Sequence, residues 1–183
     1  MPRHIDPDVE RRIVLAARKL WHKGGEKSLS MRAVARAAGT NTPAVYRRFR
    51  NRSEILGALV ELYQKELFDA LEPCRSLQEM AQCYLQFALR RPKEYGLLMS
   101  GPTTARIEGR PNLNLALHRC AEWFGGRPNE YLPLVHAMVS LIHGHAMLNI
   151  SDYEPWTTAE ESQAALDKAL DILVANQAKF RGR

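Results

Sequence analysis

Cysteine is scarce in this chain of 183 residues, and the positions of the cysteines exclude domains held together by disulfides or by zinc. The three cysteines, Cys74, Cys83 and Cys120, are odd in number, widely spaced and form no C-x-x-C pair. A disulfide framework needs paired cysteines and a zinc knuckle needs closely spaced ligands, so both are excluded. Such cysteine usage is typical of a reducing compartment, and we expect the protein to be cytoplasmic.

Long apolar segments are also missing. No run of eighteen apolar residues occurs, because the longest apolar stretch, around residues 134–142, is interrupted by His136 and Ser140. A transmembrane helix needs about 20 predominantly apolar residues. The N-terminal sequence Met-Pro-Arg-His-Ile-Asp has no apolar region of the kind that a secretory signal requires. We therefore expect no membrane among the partners of this protein.

Strand patterns are absent, whereas helical patterns run through most of the chain. No segment alternates apolar and polar residues convincingly, and apolar residues recur at spacings of three and four. The predicted fold class is therefore all-α. The first predicted helix begins after Asp6-Pro7 and ends at Gly24-Gly25, and the others cover residues 31–38, 42–49, 52–71, 77–90, 92–100, 113–124, 129–150 and 158–179.

Positive charge is concentrated in the first third of the chain. Residues 1–65 carry 14 Lys and Arg against 6 Asp and Glu, a net charge of +8. The remaining residues carry 12 against 14, a net charge of −2, which gives +6 for the whole chain. A basic segment on a near-neutral remainder indicates contact with a polyanion, although a solvated basic surface has the same composition.

Two short predicted helices within this basic segment form a candidate helix-turn-helix. Ser30 and Asn41 are residue types that cap a helix N-terminus, and Gly39 permits a sharp turn between the helices. Val45 and Phe49 point toward the core, which leaves polar and cationic side chains outward on the second helix. Such side chains can bind base edges and phosphates. An ordinary αα-hairpin in a helical bundle has the same pattern.

A long helix follows the candidate helix-turn-helix. The sequence Asn51-Arg52-Ser53-Glu54 is typical of a capping box, and Pro73 ends the helix. At about 1.5 Å per residue the helix spans roughly 30 Å. We therefore divide the chain into a three-helix helix-turn-helix domain at 1–51, a connecting helix at 52–72 and a helical-bundle domain for ligand binding and dimerisation at 73–183.

Three runs of residues in the first third keep a characteristic spacing. They are Ile13-x-x-Ala16-Ala17-x-x-Leu20-Trp21-x-x-Gly24, Ser30-Met31-x-x-Val34-Ala35-x-x-Ala38-Gly39 and Ala44-Val45-Tyr46-x-x-Phe49-x-Asn51-Arg52-Ser53-Glu54-Ile55-Leu56. In these runs the chain strongly resembles the TetR/AcrR family of bacterial transcription regulators. The resemblance implies that residues 30–49 form the helix-turn-helix and that its second helix lies in the major groove of duplex DNA.

The resemblance also implies roles for individual residues. Ser30 and Tyr46 match positions that usually touch phosphate, and Arg52 matches a phosphate-binding Lys. Thr40, Asn41 and Pro43 differ from the usual residues of the family, and these departures bear on base preference. The implied DNA-binding residues are Ser30, Arg32, Thr40, Asn41, Thr42, Ala44, Tyr46, Arg47, Arg48 and Arg52.

The second half resembles the family through two shorter segments. Arg91-Pro92-Lys93-Glu94-Tyr95-Gly96-Leu97-Leu98-Met99 and Leu141-Ile142-His143-Gly144 are similar to a subgroup named for a Trp-His-Gly signature, with Ile142 in place of the Trp. In the family this half binds a small effector and forms a dimer. Aromatic and Met side chains suit an apolar or aromatic ligand, and ordinary core packing uses the same residues. The implied effector-binding residues are Met80, Cys83, Tyr84, Phe87, Tyr95, Met99, Trp123, Met138 and His143.

Two apolar stripes at helical spacing are candidates for a dimer interface. One lies on the last predicted helix and the other on the helix at 129–150. Two such helices from each subunit make a four-helix seam, and a monomer core has the same spacing. With the resemblance we favour the dimer, whose expected interface residues are Val135, Val139, Ile142, Leu166, Leu170, Leu173 and Gln177.

Together these features predict a ligand-responsive transcriptional regulator and not an enzyme. We expect a homodimer that binds a palindromic operator in double-stranded DNA, represses transcription and is released by a small apolar or aromatic effector. We expect neither cofactor nor metal. One alternative is a helical-bundle metal-binding protein or enzyme that uses His136, His143, Asp152 and Glu154. A second is a packing protein that binds DNA or RNA without sequence preference.

Overall fold

The computed structural model describes residues 8–99, 109–151 and 156–182. Within these ranges every regular element is a helix, which confirms the predicted all-α fold class. The chain forms two compact units. Of the described residues, unit 1 contains 8–63 and 96–99, and unit 2 contains 64–95, 109–151 and 156–182.

Unit 1 is built around three short helices and the start of a long one. Its elements are α1 (Val9–Gly24), a 3-10 turn (Gly25–Ser28), α2 (Met31–Ala37), α3 (Thr42–Tyr46) and the first part of α4 (Arg52–Leu71). Helix α2 packs against both α1 and α3. The side chains of Ile13, Ala17, Val34 and Val45 are completely buried in this core. The predicted opening of α1 at Asp6-Pro7 lies outside the described residues.

The turn between α2 and α3 combines two predicted caps with a left-handed glycine. The side chain of Ser30 accepts a hydrogen bond from the amide of Ala33 at 3.1 Å, and that of Asn41 accepts one from Ala44 at 2.9 Å. Gly39 has φ +63°. The Thr40 amide donates to the Ala35 carbonyl at 3.0 Å, and the Gly39 amide donates to the Arg36 carbonyl at 3.3 Å. This Schellman arrangement satisfies the last carbonyls of α2 and fixes where α3 begins.

Helix α4 begins and ends close to the predicted residues. The side chain of Asn51 accepts a hydrogen bond from the Glu54 amide at 3.0 Å, as a capping box requires. The Glu54 carboxylate accepts from the amide of Arg50 at 2.7 Å, one residue earlier than a capping box places it. The helix is continuous over twenty residues, and the boundary between the two units falls inside it, after Tyr63.

Unit 2 is a bundle arranged around one central helix. Its elements are the end of α4, α5 (Leu77–Arg90), the start of α6 (Pro92–Met99), α7 (Pro111–Phe124), a 3-10 turn (Pro128–Tyr131), α8 (Leu132–Ile150), α9 (Ala159–Ala175) and a last 3-10 turn (Gln177–Phe180). Helix α8 packs against α5, α7 and α9, and α9 also packs against α5. The helix predicted at 158–179 is α-helical only as far as Ala175. At its start, Thr158 forms a complete capping box with Glu161.

The composition of the central helix bears on the prediction that the chain does not span a membrane. Among the described residues, the stretch Pro128–Ile150 has the length and hydropathy of a membrane span. Its apolar side chains pack inside unit 2, where Leu134, Val135, Met138 and Ala146 are buried. Packing against three neighbouring helices therefore accounts for part of its composition, while Leu132, Val139, Leu141, Met147 and Leu148 remain exposed.

Most of the predicted dimer residues lie in the core of their own chain. Val135 and Ile142 on α8 are buried, and so are Leu166 and Leu170 on α9, because α8 and α9 pack against each other within unit 2. These four side chains therefore have at most 6% of their surface left for contact with a second subunit. Of the predicted set, Val139 is exposed, and Leu173 and Gln177 are partly exposed.

Replacement of Gly39 by Ala tests the left-handed turn. The variant Gly39→Ala should lower the free energy of unfolding by about 1 kcal/mol, since an L-residue at this φ is strained. Gly57→Ala is a matched control, because a Cβ at either position meets no atom within 4 Å and Gly57 lies within helix α4. It should raise the free energy of unfolding by up to about 1 kcal/mol. Chemical denaturation measures both, and equal effects of the two variants would contradict the assignment.

Candidate nucleic-acid interface and effector region

Helix α3 presents a polar and cationic face because its apolar residues are used for packing. Val45 is completely buried, and Phe49, which follows the helix, is also buried. Tyr46 keeps 52% of its surface exposed, and the neighbouring Arg47 is exposed. An exposed tyrosine beside an exposed arginine, on a helix held by caps and a glycine turn, is suited to contact with a charged polymer.

One predicted DNA-binding residue is placed differently. Ala44 retains only 8% of its surface, because it lies next to Val45 on the side of α3 that packs against the rest of unit 1. Little of its surface is thus left for contact with DNA. Among the other predicted residues, Ser30, Arg32 and Asn41 are exposed, and Thr40 and Thr42 are partly exposed.

The exposed arginines extend beyond the predicted set. Arg36 lies one turn after Arg32 on α2, and Arg50 follows α3; both are exposed. Neither these two nor Arg32 and Arg47 form an ion pair with the described part of the chain. The spacing of four between Arg32 and Arg36 could have indicated a shared face from sequence alone. We define the arginine face as Arg32, Arg36, Arg47 and Arg50.

Two predicted cationic residues have acidic partners. The Nη2 atom of Arg52 lies 2.8 Å from the Glu26 carboxylate and donates to the Glu26 carbonyl at 2.7 Å. Arg48 approaches Glu10 at 3.9 Å. Because these guanidinium groups already face carboxylates, a phosphate must compete for them. The sequence did not reveal these pairs, since the members of each lie far apart in the chain.

The predicted effector residues of unit 2 contain a short polar chain. The hydroxyl of Tyr95 lies 2.7 Å from Nδ1 of His143. The rings of Tyr84 and Tyr95 meet edge to face with their centroids 5.9 Å apart. Tyr95 is almost completely buried, whereas Tyr84 and His143 are partly exposed. This Tyr84–Tyr95–His143 cluster joins α5, α6 and α8.

Burial determines the protonation of this cluster. It raises the pKa of both Tyr95 and Tyr84 above the usual tyrosine range. The hydroxyls are therefore neutral at physiological pH. Which atom donates in the contact between the Tyr95 hydroxyl and Nδ1 of His143 depends on the tautomer of His143.

The remaining predicted effector residues differ in burial. Met80, Phe87 and Met138 are buried in unit 2, and Cys83 and Trp123 are partly exposed there. Met99 belongs to unit 1 and is 38% exposed. Eight of the nine predicted residues thus lie in unit 2.

The histidines of α8 were the basis of the metal-binding alternative. His136 is exposed, His143 is bonded to Tyr95, and His145 lies 3.4 Å from the hydroxyl of Ser162. Partial burial lowers the pKa of His145. Within the described ranges no three His, Cys, Asp or Glu side chains are grouped as a metal site requires. Asp152 and Glu154 lie outside the described residues.

Two family models match the chain. The model described as bacterial regulatory proteins, tetR family, matches residues 13–59, which include the helix-turn-helix. The model described as tetracyclin repressor-like, C-terminal domain, matches residues 77–173, which include most of unit 2. A comparison with curated protein sequences found no match.

Solved structures share the fold along nearly the whole chain. A protein described as a regulatory protein, SCO4313, is 21% identical, with a TM-score of 0.73 over 96% of this chain and 100% of its own. A TetR variant from Acinetobacter baumannii AYE in complex with minocycline is 23% identical, with a TM-score of 0.65 over 93% and 97%. AibR in complex with isovaleryl coenzyme A and operator DNA is 15% identical, with a TM-score of 0.55 over 88% and 97%.

Proposed function

Because the chain belongs to the TetR family of bacterial transcription regulators, we propose that it is a dimeric repressor that binds a palindromic operator and is released by a small effector. The exposure of the four arginines of the arginine face, together with that of Tyr46, is the observation that carries the proposal. No step of this function is catalytic, and the site of action is the cytoplasm, where bacterial DNA lies.

The proposed DNA contacts follow from which side chains α3 leaves exposed. Arg47 has a planar group that can pair with guanine in the major groove, which admits one helix. The hydroxyls of Ser30 and Tyr46 can donate to phosphates, since the cap of Ser30 uses its oxygen only as an acceptor. Arg52 can bind phosphate in exchange for Glu26. Binding through these cations should weaken as salt concentration rises.

Two Arg variants test these assignments on DNA from upstream of the protein's own gene. Arg47→Ala should reduce the preference for this DNA over unrelated DNA by about tenfold, the value of one good base contact. Arg52→Ala should weaken binding to all sequences to the same degree and reduce the salt slope by about one. Fluorescence anisotropy at several salt concentrations measures both effects.

The control for this experiment is Arg90→Ala, because Arg90 is exposed on α5 in unit 2. It should leave affinity and preference unchanged. The reversed pattern, with Arg52 setting preference and Arg47 acting uniformly, would mean that the base and phosphate roles are exchanged. Absence of any salt-sensitive specific complex would contradict the proposed function itself.

The proposed dimer uses apolar side chains that remain exposed on α8 and α9. Leu132 and Val139 are exposed and lie two turns apart on one face of α8. On α9, Ile172 is 55% exposed. A second copy of the chain can cover these side chains and give the two-fold symmetry of a palindrome. Half-sites would then be spaced by about one DNA turn, roughly 34–36 Å, or a multiple.

An exposed valine and an exposed leucine form a matched pair for testing the dimer. Val139 is 37% exposed on α8, and Leu89 is 38% exposed on α5. Val139→Glu should convert the dimer to monomer, since it places a charge in an apolar interface. Leu89→Glu should leave the oligomeric state unchanged. Light scattering after size-exclusion chromatography gives the mass of each, and a dimeric Val139→Glu variant would contradict this interface.

The proposed effector site is the Tyr84–Tyr95–His143 cluster with its apolar neighbours in unit 2. The cluster offers aromatic surface from two tyrosines and a hydrogen-bonding group from His143. The fold accommodates ligands in neighbours crystallised with minocycline and with isovaleryl coenzyme A. We propose that an apolar or aromatic effector favours a dimer geometry that does not match the operator, through the continuous helix α4.

Variants of two histidines on α8 distinguish a role in effector binding from a general effect on the helix. Among aromatic compounds that release the wild-type protein from DNA, the concentration for half release should rise about tenfold in His143→Leu, the loss of roughly one hydrogen bond. His136→Leu should respond like the wild type, because His136 is exposed on the same helix. Equal responses of the two variants would exclude His143 from the site.

A further inference from the structure

Two cysteines of unit 2 lie in direct contact. Cys74 is in the turn between α4 and α5, and Cys83 is in the second turn of α5. Their Sγ atoms are 3.5 Å apart, and both thiols are free. The Cys74 Sγ also lies 3.6 Å from the carbonyl of Ala70. A disulfide bond is about 2.05 Å long, so a movement of roughly 1.5 Å would join the two sulfurs.

The two members of this pair have different surroundings. Cys74 is only 7% exposed, whereas Cys83 is partly exposed. Burial and the contact with Cys83 raise the pKa of Cys74 to about 12, while the nearby Arg119 opposes this increase. Arg119 is held in place by a hydrogen bond of 2.9 Å to the carbonyl of Glu72. Cys83 is therefore the thiol that an external reagent reaches first. Cys74 is the buried thiol that can then react with the oxidised Cys83.

The position of Cys74 allows the remaining movement. Cys83 is fixed within helix α5, but Cys74 follows the end of α4 and precedes Ser76, which caps α5. A residue between two helices can shift without breaking a helical hydrogen bond. The cysteines are nine residues apart, so closure forms a short loop.

We propose that Cys74 and Cys83 form an intramolecular disulfide when a hydroperoxide oxidises Cys83. The Cys83 sulfur attacks the peroxide, the O–O bond breaks, and the alcohol or water leaves with the proton, which gives a sulfenic acid. The Cys74 sulfur then attacks the Cys83 sulfur, the S–O bond breaks, and hydroxide leaves with the Cys74 proton as water. Two thiols lose two electrons, and the peroxide is reduced by the same two electrons.

The third cysteine is an internal control. Cys120 on α7 is completely buried, and burial raises its pKa to about 12. It has no sulfur partner among the described residues. Cys120→Ser should therefore leave the reaction unchanged, and Cys83→Ser should abolish it.

The experiment treats the purified, reduced full-length protein with hydrogen peroxide and digests it with trypsin under non-reducing conditions. Cleavage after Lys65, Arg75 and Arg90 places the two cysteines in separate peptides, 66–75 and 76–90. Mass spectrometry should find these peptides joined, with the loss of two hydrogen atoms, and dithiothreitol should separate them. The joined peptide should be absent in Cys83→Ser and as abundant in Cys120→Ser as in the wild type.

Several outcomes would overturn the proposal. One is that peptides 66–75 and 76–90 stay separate. Another is that Cys83 is recovered as sulfinic acid without the joined peptide. A third is that the disulfide links two chains, which a non-reducing gel shows as a dimer. Because the wild-type protein gives the main result, misfolding of a variant does not obscure it. Circular dichroism of each variant checks that the helices are retained. None of these readouts depends on DNA binding.

Discussion

The burial of Val34 and Val45 is the constraint on which the proposed DNA interface depends. Helix α3 has only five residues, and a helix of that length is not stable by itself in water. It is held by the packing of Val45 against α2, by the Asn41 cap and by the left-handed Gly39 turn. Since one side of α3 is committed to this packing, the opposite side must carry Tyr46 and Arg47. The polar and cationic character of the exposed side of α3 is thus a consequence of the packing of its apolar side.

Acidic residues of unit 1 modify the charge that this surface presents. Glu26 holds Arg52 and Glu10 approaches Arg48, so these two arginines contribute less than their formal charge suggests. A phosphate that replaces Glu26 exchanges one ion pair for another, and the net gain is the difference between them. Within the described chain, the arginines of the arginine face have no carboxylate partner that a phosphate must displace. Affinity for a polyanion should therefore depend more on the arginine face than on Arg52.

Local features of the sequence were predictable, and contacts between distant residues were not. The caps at Ser30 and Asn41, the turn at Gly39 and most helix positions follow from signals within a few residues, and the structure confirms them. The pairing of Arg52 with Glu26, and of Tyr95 with His143, joins residues that no local pattern connects. The stripes containing Val135 and Leu166 are buried within unit 2, and their spacing alone does not show whether they pack within the chain or against a second one. A helix that packs within its own chain and one that packs against a second chain need the same spacing.

The Tyr95–His143 bond also bears on how unit 2 can discriminate between ligands. The two groups already bond to each other at 2.7 Å, so an apolar molecule placed against them does not have to break this hydrogen bond. A ligand with its own hydrogen-bonding group can instead bind the second ring nitrogen of His143 without disturbing Tyr95. In the proposed effector site, selectivity would then come from this single polar position. The proposed site would rank aromatic ligands by whether they form a hydrogen bond with the second ring nitrogen of His143.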